Sequence, residues 1–369
     1  MKVIVAFGTR PELIKLAPVI KELRRFPRAF RTTLLATAQH REMLDQMLNV
    51  FNLTPDIDLD LMSPDQKLDR LTSRILKEMT VVYERERPDL VIIQGDTTTA
   101  MSASLAAFYG QIPVAHVEAG LRTHDPLNPF PEEINRKIIS AVASRHFAPT
   151  QTAADNLQKE GIPLRRITVT GNTIIDALLD MDKKVLDLPS PVPLDPLKKM
   201  ILVTCHRREN FGRPLDEICG ALGDIVRKHH DVEIVYPVHP NPNVDRVVRK
   251  KLGGRRGIHL IGPLDYLSFI RLMKASYLIL TDSGGVQEEA PAFSKPVLIL
   301  RKVTERPEGV KAGIARIVPP ERKNIYHETR KLLSDPAAYR RMAAAKNPYG
   351  DGKAAKRIVS VLRIFIRDV

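Results

Sequence analysis

Residues 2–12 read KVIVAFGTRPE, and residues 198–209 read KKMILVTCHRRE. Each stretch opens on lysine, runs through a short apolar segment and ends in a loop carrying Arg and Glu. The apolar segments are too short for a buried helix, and they lack the alternation of a half-exposed strand. They fit strands covered by helices on both faces, as in a parallel sheet. The chain therefore starts the same unit twice, which predicts two Rossmann-like halves.

Outward from these two starts, apolar runs alternate with segments of helical period. Strands are expected at 2–7, 33–36, 90–94, 113–117, 146–148 and 167–170. A second series falls at 200–204, 232–238, 259–261, 278–281, 296–300 and 314–318. Helices are expected between them, among others at 11–25, 68–87, 98–109, 215–230 and 265–274. Such repetition means an α/β fold with doubly wound sheets. A length of 369 residues suits two domains. We expect them at 1–172 and 173–353, with the chemistry in the cleft between them at the carboxyl ends of the strands. The Pro-rich stretch LPSPVPLDP (188–196) reads as a linker or a long surface loop. The segment 354–367 is helical in pattern and could pack on either half.

Composition narrows the function. With 43% apolar and 27% charged residues the chain is globular in type. No apolar run approaches the ~18–20 residues of a membrane span, and the opening apolar stretch leads straight into a GTRPE loop, unlike a signal peptide. A cytoplasmic protein without membrane partners is expected. Cys205 and Cys219 are the only cysteines. They form neither a CxxC pair nor a Cys/His cluster, which argues against a disulfide framework or a structural metal. The net charge of +14 suits a polyanion or a phosphorylated small substrate. The basic residues are spread along helices (KELRR at 21–25, KKLGGRR at 250–256) with little aromatic interleaving and no Trp. No nucleic-acid-binding signature is present, so phosphate contacts in a cleft are preferred to a nucleic-acid partner.

In an open α/β sheet the residues just past the strand C-termini reach the ligand, and five such places carry unusual residues. At Gly8-Thr9-Arg10-Pro11-Glu12, the free amides of a helix start, with Arg10 and Lys15 nearby, would suit an anion; Lys15 taken alone reads rather as part of a solvated helix face. The loop is not GxGxxG, so a dinucleotide cofactor is not implied. At Gln94-Gly95-Asp96, Asp96 is either a helix N-cap or a catalytic acid. Glu118 follows the strand PVAHV, so its carboxylate should enter the crevice, while Gly120 lets the backbone approach a ligand. Pro131 then opens a helix with Glu132 and Glu133 in its first turn, where the dipole favours anions by ~0.3–1 kcal/mol each. Adjacent helix residues diverge by about 100°, so at most one of the pair faces the site and the other complements the dipole. Asp125 has no assigned role.

The fourth place is Cys205-His206-Arg207-Arg208, where two arginines should disfavour the charged form of His206 and leave a neutral base or donor. His239 ends the next strand. The fifth is Thr281-Asp282-Ser283-Gly284-Gly285. Ser-Gly-Gly between a strand and a helix forms a phosphate nest, and Glu289 one to two turns on could accept the hydroxyls of a ribose. This points to a nucleoside diphosphate.

GTRPE, QGDTTT, HVEAGLRT, PFPEEINR, HRRENFG, YPVHPNP and TDSGGVQEEAP occur in this order from Gly8 to Pro291. Together they resemble the non-hydrolysing UDP-N-acetylglucosamine 2-epimerases. The resemblance implies a glycosyltransferase-B-like fold, with 354–369 packing back on the first domain, and a homodimer. It implies interconversion of UDP-N-acetylglucosamine and UDP-N-acetylmannosamine, by loss of UDP to give 2-acetamidoglucal and re-addition, with no metal or other cofactor. Asp96, Glu118 and Glu132 then become acid/base residues, with His206 a fourth. Arg10, Lys15, Ser283, Gly284 and Gly285 would hold the diphosphate, Arg207 and His239 would line the nucleotide-sugar site, and Glu289 would take the ribose. Gln39, His40 and Gln66 match a site for a second, activating UDP-N-acetylglucosamine. A hydrolysing relative, an epimerase of another acetamido sugar or a glycosyltransferase of the same fold would share many of these residues.

Overall fold

The apolar residues of KVIVAF form β1 (Lys2–Phe7), in which residues 3–7 are buried. The computed structural model describes residues 1–37, 41–61, 66–186 and 188–365. The chain forms two compact units, Met1–Ala177 with Gly350–Val369, and Leu178–Tyr349.

In the first unit, β1 is followed by β2 (Arg31–Ala36), β3 (Ile57–Asp58), β4 (Leu90–Gln94), β5 (Val114–Val117), β6 (Arg145–Ala148) and β7 (Ile167–Val169). They form one sheet in the order β3-β2-β1-β4-β5-β6-β7, and the paired strands run parallel. The helices between them are α1 (Arg10–Arg24), α2 (Arg41–Phe51), α3 (Leu68–Glu86), α4 (Thr98–Tyr109), α5 (Glu132–Val142) and α6 (Gln151–Lys159). α7 (Thr173–Leu186) carries the chain from the first unit into the second.

The second unit repeats the plan with β8 (Lys199–Thr204), β9 (Val232–Pro237), β10 (Ile258–Ile261), β11 (Leu278–Thr281), β12 (Val297–Ile299) and β13 (Ala315–Ile317). Its order is β10-β9-β8-β11-β12-β13, again parallel. Its helices are α8 (Arg213–Lys228), α9 (Pro242–Leu252), α10 (Tyr266–Ala275), α11 (Gly284–Glu289), α12 (Pro307–Ala312), α13 (Arg322–Ser334) and α14 (Pro336–Ala343). The expected α/β fold of two doubly wound, Rossmann-like sheets is what the structure shows. β3 is an addition: two residues hydrogen-bonded beside β2 make no run that a periodicity could reveal.

β8 shows why these strands read as unbroken apolar runs. Ile201 and Val203 join a core with Leu215, Ile218 and Leu222 of α8. Met200 and Leu202 join a different core with Leu272 and Met273 of α10. Successive side chains thus leave opposite faces of the sheet, and a helix waits on each. Val192, in the Pro-rich stretch, belongs to the same core as Met200. That stretch is therefore a loop pinned to the second unit.

In both sheets the chain works outward from one central strand and then crosses to its other side. The reversal lies between β1 and β4 in the first sheet and between β8 and β11 in the second. Residues following these four strands flank the switch points, where an open α/β sheet accepts ligands.

α15 (Ala354–Phe365) returns to the first unit and packs on α1. Asp176 of α7 accepts the amides of Ala354 (3.1 Å) and Ala355 (2.9 Å) and so caps the helix start. Arg357 donates to the Thr170 carbonyl at 3.0 Å, and the Arg363 guanidinium lies over the Phe26 ring, 4.4 Å from its centre. Among the described residues no helix is long and apolar enough to cross a membrane. The Asp176→Ala variant leaves the first-turn amides of α15 unpaired. It should lose roughly 0.5–2 kcal/mol in denaturant unfolding, with new protease cleavage in the last helix; unchanged stability and cleavage would show that the cap does not hold α15.

Candidate active site

The loop after β1 is drawn tight. A Cβ on Gly8 would stand 2.3 Å from Thr37 Oγ1 and 2.4 Å from Thr99 Oγ1, so only glycine fits between β2 and α4. Glu12, in the first turn of α1 and only 1% exposed, accepts from Gly8 N (3.0 Å), Thr9 N (2.8 Å) and Thr9 Oγ1 (2.8 Å). Its other oxygen accepts from Thr97 Oγ1 at 2.6 Å. Burial pushes the Glu12 carboxyl upward, and the hydrogen bonds of Thr97, Thr9 and Gly8 oppose that. Glu12 therefore clasps the loop of Arg10, itself exposed, to the loop of Asp96.

β5 ends at Val117, and Glu118 takes φ +65°. This is uncommon for a residue with a side chain and costs of order 1–3 kcal/mol unless the surroundings enforce it. Here they do. Lys15 Nζ lies 2.6 and 2.7 Å from the two carboxylate oxygens, and Gln94 Nε2 donates to Oε2. Two residues on, Gly120 has φ +87°, and a Cβ there would fall 2.1 Å from the Ala153 carbonyl.

Asp96 is not the N-cap of α4: Thr97 is, its side chain accepting from Ala100 N at 3.0 Å. The Asp96 carboxylate instead pairs with Arg136, and its carbonyl accepts from Asn135 Nδ2 at 2.9 Å. His116, wholly buried, contacts the Gly95 carbonyl through Nε2 at 2.7 Å. A carbonyl only accepts, so Nε2 carries the proton. Burial, with the neighbouring His146 adding to it, pushes His116 down to about 3 and keeps it neutral.

α5 begins at Glu132, preceded by Pro131. Glu132 shares a helix face with Arg136 four residues on, the residue that pairs with Asp96. Its Oε2 is buried and has no hydrogen-bond partner among the described residues. Glu133 has no exposure and accepts the amides of Thr123 (3.0 Å) and His124 (3.1 Å). It anchors the loop that precedes the helix. Asp125 Oδ1 accepts the Leu127 amide at 3.0 Å, a local turn in an exposed stretch.

In the second unit the loop after β8 carries His206, whose ring stacks on that of His239 at 5.2 Å between centres. His239 Nδ1 accepts the Asn241 amide at 3.1 Å. His206 is pushed below the usual histidine range, mainly by burial; Asp282 opposes this, and His239 and Arg207 add to it. The direction matches the sequence expectation, but burial outweighs the arginine charge that motivated it.

Arg207 stands beside the nest: a Cβ on Gly284 would lie 3.4 Å from its guanidinium, which also reaches Glu305 at 3.5 Å. Ser283 precedes α11, and the space above Gly285 is bordered by the Glu289 carboxylate, 3.8 Å from where a Cβ would stand. Arg301, buried, bridges Glu209 (2.5 Å) and Glu305 (2.6 Å). Burial alone would raise Glu305, but Arg301 and Arg207 hold it down at about 2. Arg306 pairs with the buried Glu288.

In the first unit Lys15 thus meets Glu118, while Asp96 meets the Arg136 that follows Glu132 by one turn; His206, Arg207, His239, Ser283, Gly284, Gly285 and Glu289 lie in the second. Gln66 lies just before α3, and Gln39 and His40 lie outside the described residues. Sequence reasoning assigned no role to Glu12, Gln94, Arg136 or Asp282. Arg136 had a signal, since it stands one turn after Glu132 on the same helix face.

The profile of the family described as UDP-N-acetylglucosamine 2-epimerase matches residues 21–363. The chain is 51% identical over 371 aligned positions to the UDP-N-acetylglucosamine 2-epimerase of Escherichia coli (strain K12), covering 98% of each. It is similar to the crystal structure of the enzyme of that name from Neisseria meningitidis bound to UDP-GlcNAc. That match has a TM-score of 0.90 and 46% identity, covering 98% of this chain and 99% of that one. A TM-score of 0.66 at 14% identity to the glycotransferase of kitacinnamycin, over 98% of each chain, reflects the shared glycosyltransferase-B-like fold alone.

The Glu133→Ala variant removes the acceptor of the Thr123 and His124 amides, each such loss being of order 1–3 kcal/mol. Amide exchange at those two positions should quicken by about 5- to 150-fold; native-like protection would mean that other contacts hold the loop.

Proposed function

The chain belongs to the UDP-N-acetylglucosamine 2-epimerase family, and we propose that it interconverts UDP-N-acetylglucosamine and UDP-N-acetylmannosamine without releasing free sugar. The observation that carries the reading is the placing of Asp96 and Glu118 behind β4 and β5, with Glu132 one helical turn before the Arg136 that pairs with Asp96 and one buried Glu132 oxygen without a partner among the described residues. A pocket that only held the sugar would not need three carboxylates there.

The C2 hydrogen has no adjacent carbonyl, so direct deprotonation is too costly. Elimination avoids the problem. A carboxylate takes the C2 proton as the C1–O bond to the diphosphate breaks; the C–H electron pair becomes the C1=C2 double bond of 2-acetamidoglucal, and UDP leaves with the C–O pair. Protonation of C2 on the opposite face and attack of UDP on C1 complete the epimerisation. Asp96, Glu118 and Glu132 form the acid/base set. His206, neutral at pH 7 because it lies below its usual range, exchanges a proton near the departing diphosphate.

Free UDP must stay bound between the two steps. Arg10, Lys15 and Arg207 supply positive charge, Ser283, Gly284 and Gly285 supply amides, Glu289 takes the ribose hydroxyls, and His239 lines the site beside His206. The ammonium of Lys15, now on Glu118, serves the carboxylate and the leaving group in turn. The family resemblance further supports a cytoplasmic homodimer that feeds surface-polysaccharide synthesis.

Incubation with UDP-N-acetylglucosamine in D2O, followed by NMR, tests the reaction. Epimer carrying deuterium at C2 is expected. Free N-acetylmannosamine would identify a hydrolase, and no reaction without an acceptor would identify a transferase. Glu132→Gln should retain UDP binding by calorimetry and lose ~10²–10⁴-fold in kcat; a kcat near that of the unaltered enzyme would remove Glu132 from the acid/base set.

A further inference from the structure

β11 ends at Thr281, and the next residue, Asp282, has no solvent exposure. A carboxylate at that depth needs donors. Those in the structure come from one loop. Oδ2 accepts from Cys205 Sγ (3.0 Å), His206 N (2.9 Å), Arg207 N (2.9 Å) and Asn210 Nδ2 (2.9 Å). Oδ1 lies 3.2 Å from His206 N and 3.7 Å from His206 Nδ1. The last distance is a charge contact, too long for a hydrogen bond.

Burial pushes the Cys205 thiol well up, and the Asp282 charge adds to it, so the sulfur keeps its proton and donates. The loop has other supports: Asn210 also donates to the Leu300 carbonyl (3.1 Å) and Tyr236 Oη to the Cys205 carbonyl (3.0 Å). Asp282 is also the residue before Ser283. One carboxylate thus fixes how far the His206 imidazole stands from the Ser-Gly-Gly turn.

We propose that Asp282 is the positioning residue of His206: it wraps residues 205–210 around its carboxylate, holds the imidazole at a set distance from the Ser283–Gly285 turn, and places a negative charge at Nδ1 so that Nε2 is the nitrogen that exchanges protons with a bound ligand. The kinetic consequence rests on the epimerase reading; the geometric one does not. Among the described residues, the charged or titratable groups acting on His206 are Asp282, His239 and Arg207. Of these only Asp282 favours the imidazolium, so its removal must move the His206 titration to lower pH.

The test is the NMR titration of the His206 ring in the intact, ligand-free protein, its resonance identified by its loss in His206→Gln. In Asp282→Asn, which keeps the volume but turns an amide towards its former donors, the midpoint should move to lower pH. In Cys205→Ala, which removes one donor and leaves the carboxylate less neutralised, it should move to higher pH. With nucleotide sugar, Asp282→Asn should lose about 10²-fold in kcat, as a misplacement of about 1 Å does, with KM and UDP binding unchanged. A merely structural Asp282 would lower the melting temperature and leave the titration where it was. An unmoved midpoint in both variants overturns the proposal, as does a moved midpoint with kcat unchanged. If Asp282→Asn does not fold, the Cys205→Ala shift alone decides. If the unaltered protein has no epimerase activity, the functional reading falls while the titrations still decide the positioning.

Discussion

Glu12, Glu133, Asp282 and Asp176 are each at least nine-tenths buried, and each spends its carboxylate on two or more backbone amides. Burying an unpaired carboxylate is prohibitive. A hydrogen bond to a charged group contributes about 1.5–3 kcal/mol, so a carboxylate met by several amides is satisfied only while the backbone keeps one shape. This constraint turns four connections into defined geometry. Glu12 shapes the loop after β1 and ties it to the loop after β4; Glu133 shapes the loop after β5; Asp282 shapes the loop after β8; Asp176 seats α15. Side chains that could do chemistry hang from backbone fixed in this way.

The remaining acids are held differently. Glu118 is met by Lys15 and Gln94, and Asp96 by Arg136. A side-chain cation can swing to another anion, whereas an amide inside a loop cannot leave without unfolding it. The two kinds of carboxylate therefore differ in how they are held, the first by backbone and the second by side chains. The second sheet makes the same division: Asp282 is locked by its donors, while His206, 39% exposed, keeps a solvent-facing ring against His239.

The fold was largely legible because its signal is additive. Strands buried on both faces must be apolar throughout, and the echo between KVIVAF and MILVT follows from two sheets started in the same way. β3 escaped because two residues carry no period. That Glu118 and His206 stand in loops behind strands was legible too, since each follows an apolar run directly. What stayed hidden were the partners of Glu12, Glu133 and Asp282. Each of the three takes at least two backbone amides, which have no letter in a sequence, so an acid that anchors a loop reads the same as one that caps a helix. Asp96 suffered the reverse confusion: its position suited a cap, but Thr97 one residue later was in reach of the same amide turn.

Glu118 shows what the anchoring permits. Continued in extended form beyond Val117, the chain would return residue 118 to a face of the sheet, where helices already cover the strands. A positive φ turns it out of that register, and at any other strand end the cost would select glycine. The cost is tolerable here because the flanking geometry is already fixed. His116 holds the Gly95 carbonyl from the same strand, Gly120 packs against the Ala153 carbonyl with no room for a Cβ, and Glu133 fixes the backbone at Thr123. Lys15 then arrives from α1, whose start is set by Glu12, and meets a carboxylate that cannot retreat. A strained acid facing a movable cation, with its backbone pinned on both sides, is already organised before any ligand arrives. Less reorganisation is then left to the chemical step, which is where preorganised charge contributes most to catalysis.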